Sequence, residues 1–262
     1  MTNLVYDGSF DGFLCAVSRA LVPRVDGEEP RIVSLQEREA ELFSTEAAVQ
    51  TDPRISALFR DRFAAVAGDE ELETLLLVHS SRDPTRHRLL GEYIRMTFAA
   101  AEPIGERHGD PVVSSIRRIR GRVGWEIGKF LGITRFRRVS DGFWYAPVNP
   151  DANIAGFLGP HFSDRFPDST FLVHDATRDI GYLSVRGSGR IVNLSPMPAR
   201  LRSALARDCE PRIESQWREY FDRISVPERR NPRLQAKNMP RRYWGHLVEK
   251  PTGSLLGDSS QG

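Results

Sequence analysis

Apolar positions three and four apart mark the first half of this chain, and alternating ones mark the second. Leu4 to Tyr6 reads as a short strand, followed by Asp7-Gly-Ser-Phe-Asp-Gly12. Phe13 to Leu21 then takes helical spacing, with Ser9 placed to cap it. Arg31 to Leu35 is a second short strand. Helical spacing returns over Pro53 to Ala67, Glu70 to His79 and Pro84 to Ala101. Asp52-Pro53 and Asp83-Pro84 set a capping carboxylate directly before a proline whose fixed φ suits a first helical turn. From about Pro111 to Leu131, Val112, Ile116, Ile119, Val123 and Ile127 line one face of a long helix, and arginines line the other.

Past that helix the period changes to two. Leu131 to Val139, the turn Ser140-Asp-Gly142 and Phe143 to Pro147 predict a hairpin. Phe171 to Asp175 and Ile180 to Val185, joined through Ala176 to Asp179, predict a second one. Arg190 to Leu194 adds a strand, Ile154 to Phe166 a helix between the hairpins, and Arg212 to Ile224 a closing helix. The expected class is α+β: a helix-rich N-terminal half, and an antiparallel sheet with flanking helices in the C-terminal half. The expected division is 1–110, mostly helical with short strands; 111–250, holding the basic helix, hairpins and a C-terminal strap; and 251–262, a Gly- and Ser-rich disordered tail.

At 262 residues with 40% apolar content, the chain is long enough to bury a core. No apolar run nears the roughly 18 residues of a spanning helix, and the N-terminus lacks a basic, apolar leader, so neither membrane insertion nor secretion is expected. Cys15 and Cys209 are too few and too far apart for a cysteine metal site. Both read as reduced thiols of a cytoplasmic protein. The net charge of +2 hides a steep asymmetry. Met1 to Val113 holds 12 Arg/Lys against 20 Asp/Glu, Ser114 to Arg138 holds 8 against 1, and Arg200 to Lys250 holds 13 against 7. Two basic blocks on an acidic background concern partners rather than fold.

Several chemistries are excluded by spacing: there is no G-x-x-x-x-G-K-[ST] loop, no H-E-x-x-H helix and no G-x-S-x-G elbow. Gly187-Ser-Gly189 follows a strand without a dinucleotide-type helix and reads as a turn. No cofactor and no metal is expected. His161, Asp175 and Glu126 are the candidate catalytic groups, able to hold water or a metal if folding brings them together. His174 and Asp175 are neighbours in a strand and so face opposite ways. Asp175 with Arg178 reads as an ion pair bracing the hairpin.

The basic segments offer a different chemistry. Arg117 and Arg118 lie in the basic helix. Arg135 and Arg137 are set on one strand face with Phe136 opposite, which suits phosphate contact or a solvated, charge-guarded edge equally well. The run from Asn231 to His246 crowds Arg233, Lys237, Arg241 and Arg242 beside Tyr243 and Trp244. Guanidinium groups beside flat rings suit a polyanion with flat faces, namely nucleic acid, with the arginines on phosphates and Tyr243 or Trp244 on an unpaired base. The alternative is a structural strap whose aromatics pack and whose Asn231 and Gln235 tie down backbone.

Tyr6-Asp-Gly-Ser-Phe-Asp-Gly-Phe13, Phe130 to Arg137, Pro160-His-Phe-x-x-Arg-Phe166, His174-Asp-x-x-Arg178, Trp217-x-x-Tyr220 and Asn231-x-x-x-Gln235 through Met239-Pro-Arg-Arg-Tyr-Trp244 occur in this order along nearly the whole chain. Together they resemble a bacterial family of DNA repair or DNA metabolism proteins built on a domain of unknown function. The resemblance implies association with a radical S-adenosylmethionine protein of helix-hairpin-helix type, and kinship with domains fused to uracil-DNA-glycosylase-like modules. Gly128 and Ala152 depart from it, standing where relatives often carry histidine. A glycine inside a helix costs about 1 kcal/mol relative to alanine, so close packing at Gly128 is expected to favour it. Three readings follow: an accessory protein binding single-stranded or damaged duplex DNA alongside the radical SAM partner; an enzyme acting on DNA, nuclease- or glycosylase-like, through His161, Asp175 and Glu126; and an adaptor docking that partner.

Overall fold

Thr2–Tyr6 (β1) lies at the centre of a three-stranded parallel sheet, between Arg31–Ser34 (β2) and Thr45–Ala48 (β3). The computed structural model describes residues 2–22, 30–38, 45–140 and 142–206 and the single positions 219, 233, 240, 243 and 244. The chain divides into two compact units, Met1–Gly124 and Trp125–Gly262.

In the first unit, Phe10–Ala20 (α1) starts where Ser9 Oγ accepts from the Gly12 N–H at 3.0 Å, as its sequence position predicts. Pro53–Ala67 (α2) is capped by Asp52, which accepts from Arg54 N–H at 2.8 Å. Gly68, with φ +85°, ends α2 and lets Asp69–Ser80 (α3) begin at once. The parallel with Asp83-Pro84 fails at the next helix. There the Asp83 carboxylate accepts from both the N–H and the hydroxyl of Thr85, so the chain turns first and Arg86–Ala100 (α4) starts two residues after Pro84. Phe13, Leu14, Phe63, Leu75, Leu90, Tyr93 and Ile94 fill the core with Val113, Ile116 and Ile119.

Pro111–Ile133 (α5) follows α4, and the boundary between units falls inside it. Its buried stripe is Val113, Ile116, Ile119, Val123, Glu126 and Phe130. A carboxylate therefore occupies a position that helical spacing reserves for an apolar side chain.

The second unit holds a five-stranded sheet in sequence order: Arg137–Ser140 (β4), Phe143–Val148 (β5), Thr170–Asp175 (β6), Ile180–Val185 (β7) and Ser188–Asn193 (β8). Both expected hairpins form, β4–β5 and β6–β7, and β7–β8 closes through Arg186 and Gly187, both at positive φ. The α+β class holds, but the sheet is mixed rather than antiparallel. Ala155–Arg165 (α6) crosses over between β5 and β6 and makes that pair parallel. Gly159 brings α6 onto the sheet, since a Cβ there would stand about 2.0 Å from the Tyr182 ring. The first hairpin strand begins at Arg137, because α5 continues to Ile133 and Thr134 still bonds the Phe130 carbonyl. Ala199–Ala206 (α7) follows β8. The closing helix expected at 212–224 and the tail at 251–262 lie outside the described residues. No described helix is long and apolar enough to cross a membrane.

Candidate functional site

Glu126 is 5% exposed and accepts three hydrogen bonds: from Asp151 N–H at 2.7 Å, from Ala152 N–H at 2.9 Å and from the Tyr243 hydroxyl at 2.8 Å. The loop it holds is gripped from the other side by Arg178, whose guanidinium donates to the carbonyls of Pro150 and Asp151. Asp175, fully buried, fixes that guanidinium at 2.6 Å and accepts the N–H groups of Thr177 and Arg178. Two of the three catalytic candidates thus converge on one loop, residues 150–152, as its anchors. Both carboxylates are turned toward backbone donors rather than toward solvent. Carboxylates held by several donors are strong structural acceptors. His161 does not join them: it is exposed on α6, its ring centroid 5.3 Å from that of Phe162 in an edge-on pair. Among the described residues no group of three His, Cys, Asp or Glu side chains is placed to hold a metal.

His174 and Asp175 face opposite sides of β6, as strand alternation requires. His174 receives the other side's polar contact, its Nδ1 2.7 Å from the Tyr145 hydroxyl, with Asp179 3.6 Å from Nε2. Burial holds the His174 imidazole below its ordinary pKa, although Asp179 pulls the other way. The same burial raises the Tyr145 hydroxyl. The pair is a neutral link between β5 and β6.

The expected nucleic-acid residues are dispersed. Arg117 donates to the Gly105 carbonyl at 3.0 Å and lies 3.4 Å from Glu106. Its neighbours Arg120 and Arg122 pair with Glu70 and Asp83. Much of the first basic block therefore answers the acidic surplus of its own unit. Arg118 is exposed and, among the described residues, reaches Ser115 Oγ at 3.5 Å. Arg135 precedes β4 rather than sharing its face with Arg137, and donates to the Gly132 carbonyl at the end of α5. Phe136 is packed edge-on against Phe162, Phe166 and Phe171. Tyr243, assigned to base stacking by the sequence pattern, is 4% exposed, with its ring 4.8 Å from Phe130 and its hydroxyl on Glu126. It is a latch on α5. Trp244 is half-buried and Arg233 exposed; Lys237, Arg241 and Arg242 lie outside the described residues.

One surface feature escaped the motif reading. Trp125 is 48% exposed, and Lys129 Nζ lies 5.1 Å from its ring centroid. On a helical wheel Trp125 stands opposite Ile116 and Val123, and that offset is its signal in the sequence. Two further cation–aromatic pairs lie in this unit, Arg137 over Tyr145 at 5.2 Å and Arg165 over Phe166 at 5.8 Å. Close packing does not explain Gly128. No described residue lies within 4 Å of where its Cβ would stand.

No curated protein matches the chain. A family model described as "Domain of unknown function (DUF4130)" matches residues 84–249, from the turn before α4 through the Tyr243 latch. The match takes in α5, the whole five-stranded sheet and both anchors of the 150–152 loop. On that coverage, the chain belongs to the DUF4130 family.

Proposed function

We propose that this protein binds nucleic acid through its second unit, as a cytoplasmic accessory protein of DNA repair or DNA metabolism. The observation that carries the reading is the exposed Trp125 ring with the Lys129 ammonium over it. A half-exposed tryptophan is costly to leave in water, and a ring paired with a cation suits a ligand that offers flat bases and phosphates together. Arg165 over the 38%-exposed Phe166 repeats the combination. The reading relocates the interface from Arg117 and Tyr243, which are engaged within the protein, to these pairs. Partnership with a radical SAM protein of helix-hairpin-helix type belongs to the same proposal and rests on the sequence resemblance. The enzyme reading lacks comparable support, because Glu126 and Asp175 are occupied by backbone and His161 stands apart.

The test is fluorescence anisotropy with a labelled single strand and its duplex across a salt series. Binding is expected at low salt and should weaken linearly in log–log form as salt rises. Trp125→Ala with Lys129→Ala should weaken it about tenfold, a loss in the range of one base stack and one phosphate contact. No binding of either DNA at low salt would sink the proposal.

A further inference from the structure

The first unit contains a cavity of about 740 Å³ that the contacts above do not use. That volume lies in the range, roughly 300–1,000 Å³, of small-molecule sites. Its walls are β1, β2, α1 and α4, and every described lining residue falls between Asn3 and Arg95, largely before the family match begins. Val5, Val17, Leu21 and Val33 supply its apolar surface. Register sets Asn3 beside Arg31 and Val5 beside Val33, so strand alternation turns these four toward one sheet face, where Val17 and Leu21 of α1 join them.

Gly91 forms part of the opposite wall, in the middle of α4, with no described residue within 4 Å of the position its Cβ would take. Glycine is a poor choice inside a helix, and no close contact demands it here. Its consequence is a wall without a side chain.

The mouth is cationic. Arg31, Arg38, Arg82, Arg88 and Arg95 line it among the described residues, within a unit that holds 16 Arg/Lys against 20 Asp/Glu. The two acidic liners among the described residues are already engaged: Glu46 takes a forked pair of contacts from Arg38 at 2.8 and 2.9 Å, and Glu37 pairs with Arg86 at 2.7 Å. Arg88 reaches Glu92 only at 3.2 Å on an exposed face, and among the described residues Arg82 makes no ion pair. His87 completes the wall, its ring fixed by the Tyr6 hydroxyl 2.8 Å from Nε2. Burial, with Arg86 and Arg31 adding to it, keeps that imidazole neutral, as a positive local field requires.

We propose that this cavity binds a small organic anion, with its apolar body on Val5, Val17 and Val33 and its phosphate or carboxylate held by Arg82, Arg88 and Arg95. Aggregated guanidinium groups around an apolar surface recognise that combination and neither half alone. The site is independent of the nucleic-acid surface in the second unit.

Calorimetric titration of the full chain with thymidine 5′-monophosphate, glucose 6-phosphate and hexanoate tests the proposal, and the first two against the third distinguish phosphate from carboxylate. At least one probe is expected to bind with a Kd below about 1 mM. Gly91→Leu, which puts a side chain into the cavity, should weaken that binding about tenfold or more. Arg82→Ala with Arg88→Ala, both at exposed positions, should do the same and keeps the test open if the leucine variant fails to fold. DNA binding should be unchanged in both. The proposal is overturned if no probe binds at about 1 mM, or if binding survives within about twofold in the folded variants.

Discussion

Glu126 shows what a single side chain decides in this protein. It replaces an apolar residue in the buried stripe of α5, and its carboxylate gathers the N–H groups of Asp151 and Ala152 and the Tyr243 hydroxyl. Glu126→Ala should lower stability by about 3 kcal/mol, because three buried donors lose their acceptor. Tyr243→Phe should cost about 1 kcal/mol, since it removes one bond and strands no donor. Urea midpoints check both, and equal losses for the two would show that the backbone donors are satisfied elsewhere. A second prediction concerns His79 and His87, whose Nε2 atoms stand 2.9 and 2.8 Å from the Tyr6 hydroxyl. Burial, reinforced by nearby positive charge, pushes both imidazoles down to about 3. The unfolded chain takes up those protons near pH 6.5, so between that pH and about 3 it binds more protons than the folded one. Stability should therefore fall as pH drops from 7 to 5, and His79→Gln should flatten the dependence in urea titrations at the two pH values. An unchanged slope in the variant would place the pH sensitivity elsewhere.

The helices and hairpins were legible in sequence wherever a local signal was strong. Ser9 and Asp52 cap the helices their positions predict, and β6–β7 closes over its expected turn with Asp175 bracing Arg178. Asp83 was misleading because the same carboxylate chemistry that caps a helix also closes a turn on Thr85. The β3 strand, Thr45–Ala48, and the parallel β5–β6 pairing were not legible, since each depends on a partner distant in sequence. Glycines separate at this scale by what surrounds them. Gly128→Ala in α5 meets open space and should stabilise by about 0.5–1 kcal/mol, raising Tm by about 2 °C. Gly159→Ala in α6 meets the Tyr182 ring and should destabilise by about 1–3 kcal/mol through overpacking. Thermal unfolding of the two variants separates the cases, and a shift of the same sign in both would contradict the assignment.

Charge belongs to the whole molecule, and there the sequence was most ambiguous. The basic block from Ser114 to Arg138 reads as a polyanion surface, yet Arg117, Arg120 and Arg122 meet Glu106, Glu70 and Asp83. Exposed pairs of this kind contribute little stability, about 0–1 kcal/mol each, but they reduce the field available to a ligand. Arg120→Gln with Arg122→Gln should therefore leave DNA affinity nearly unchanged in the anisotropy series, whereas a tenfold loss would return the interface to the first basic block. By itself the sequence determined the α+β class, most elements and kinship with a domain of unknown function, because periodicity, caps and turns are local and the family motifs are linear. Only the tertiary structure decided that Glu126 and Asp175 anchor one loop, that Tyr243 is a latch, that Trp125 faces outward and that Arg31, Arg38, Arg82, Arg88 and Arg95 line one cavity. Burial and pairing are properties of what folding brings together across the chain, and no local pattern contains them.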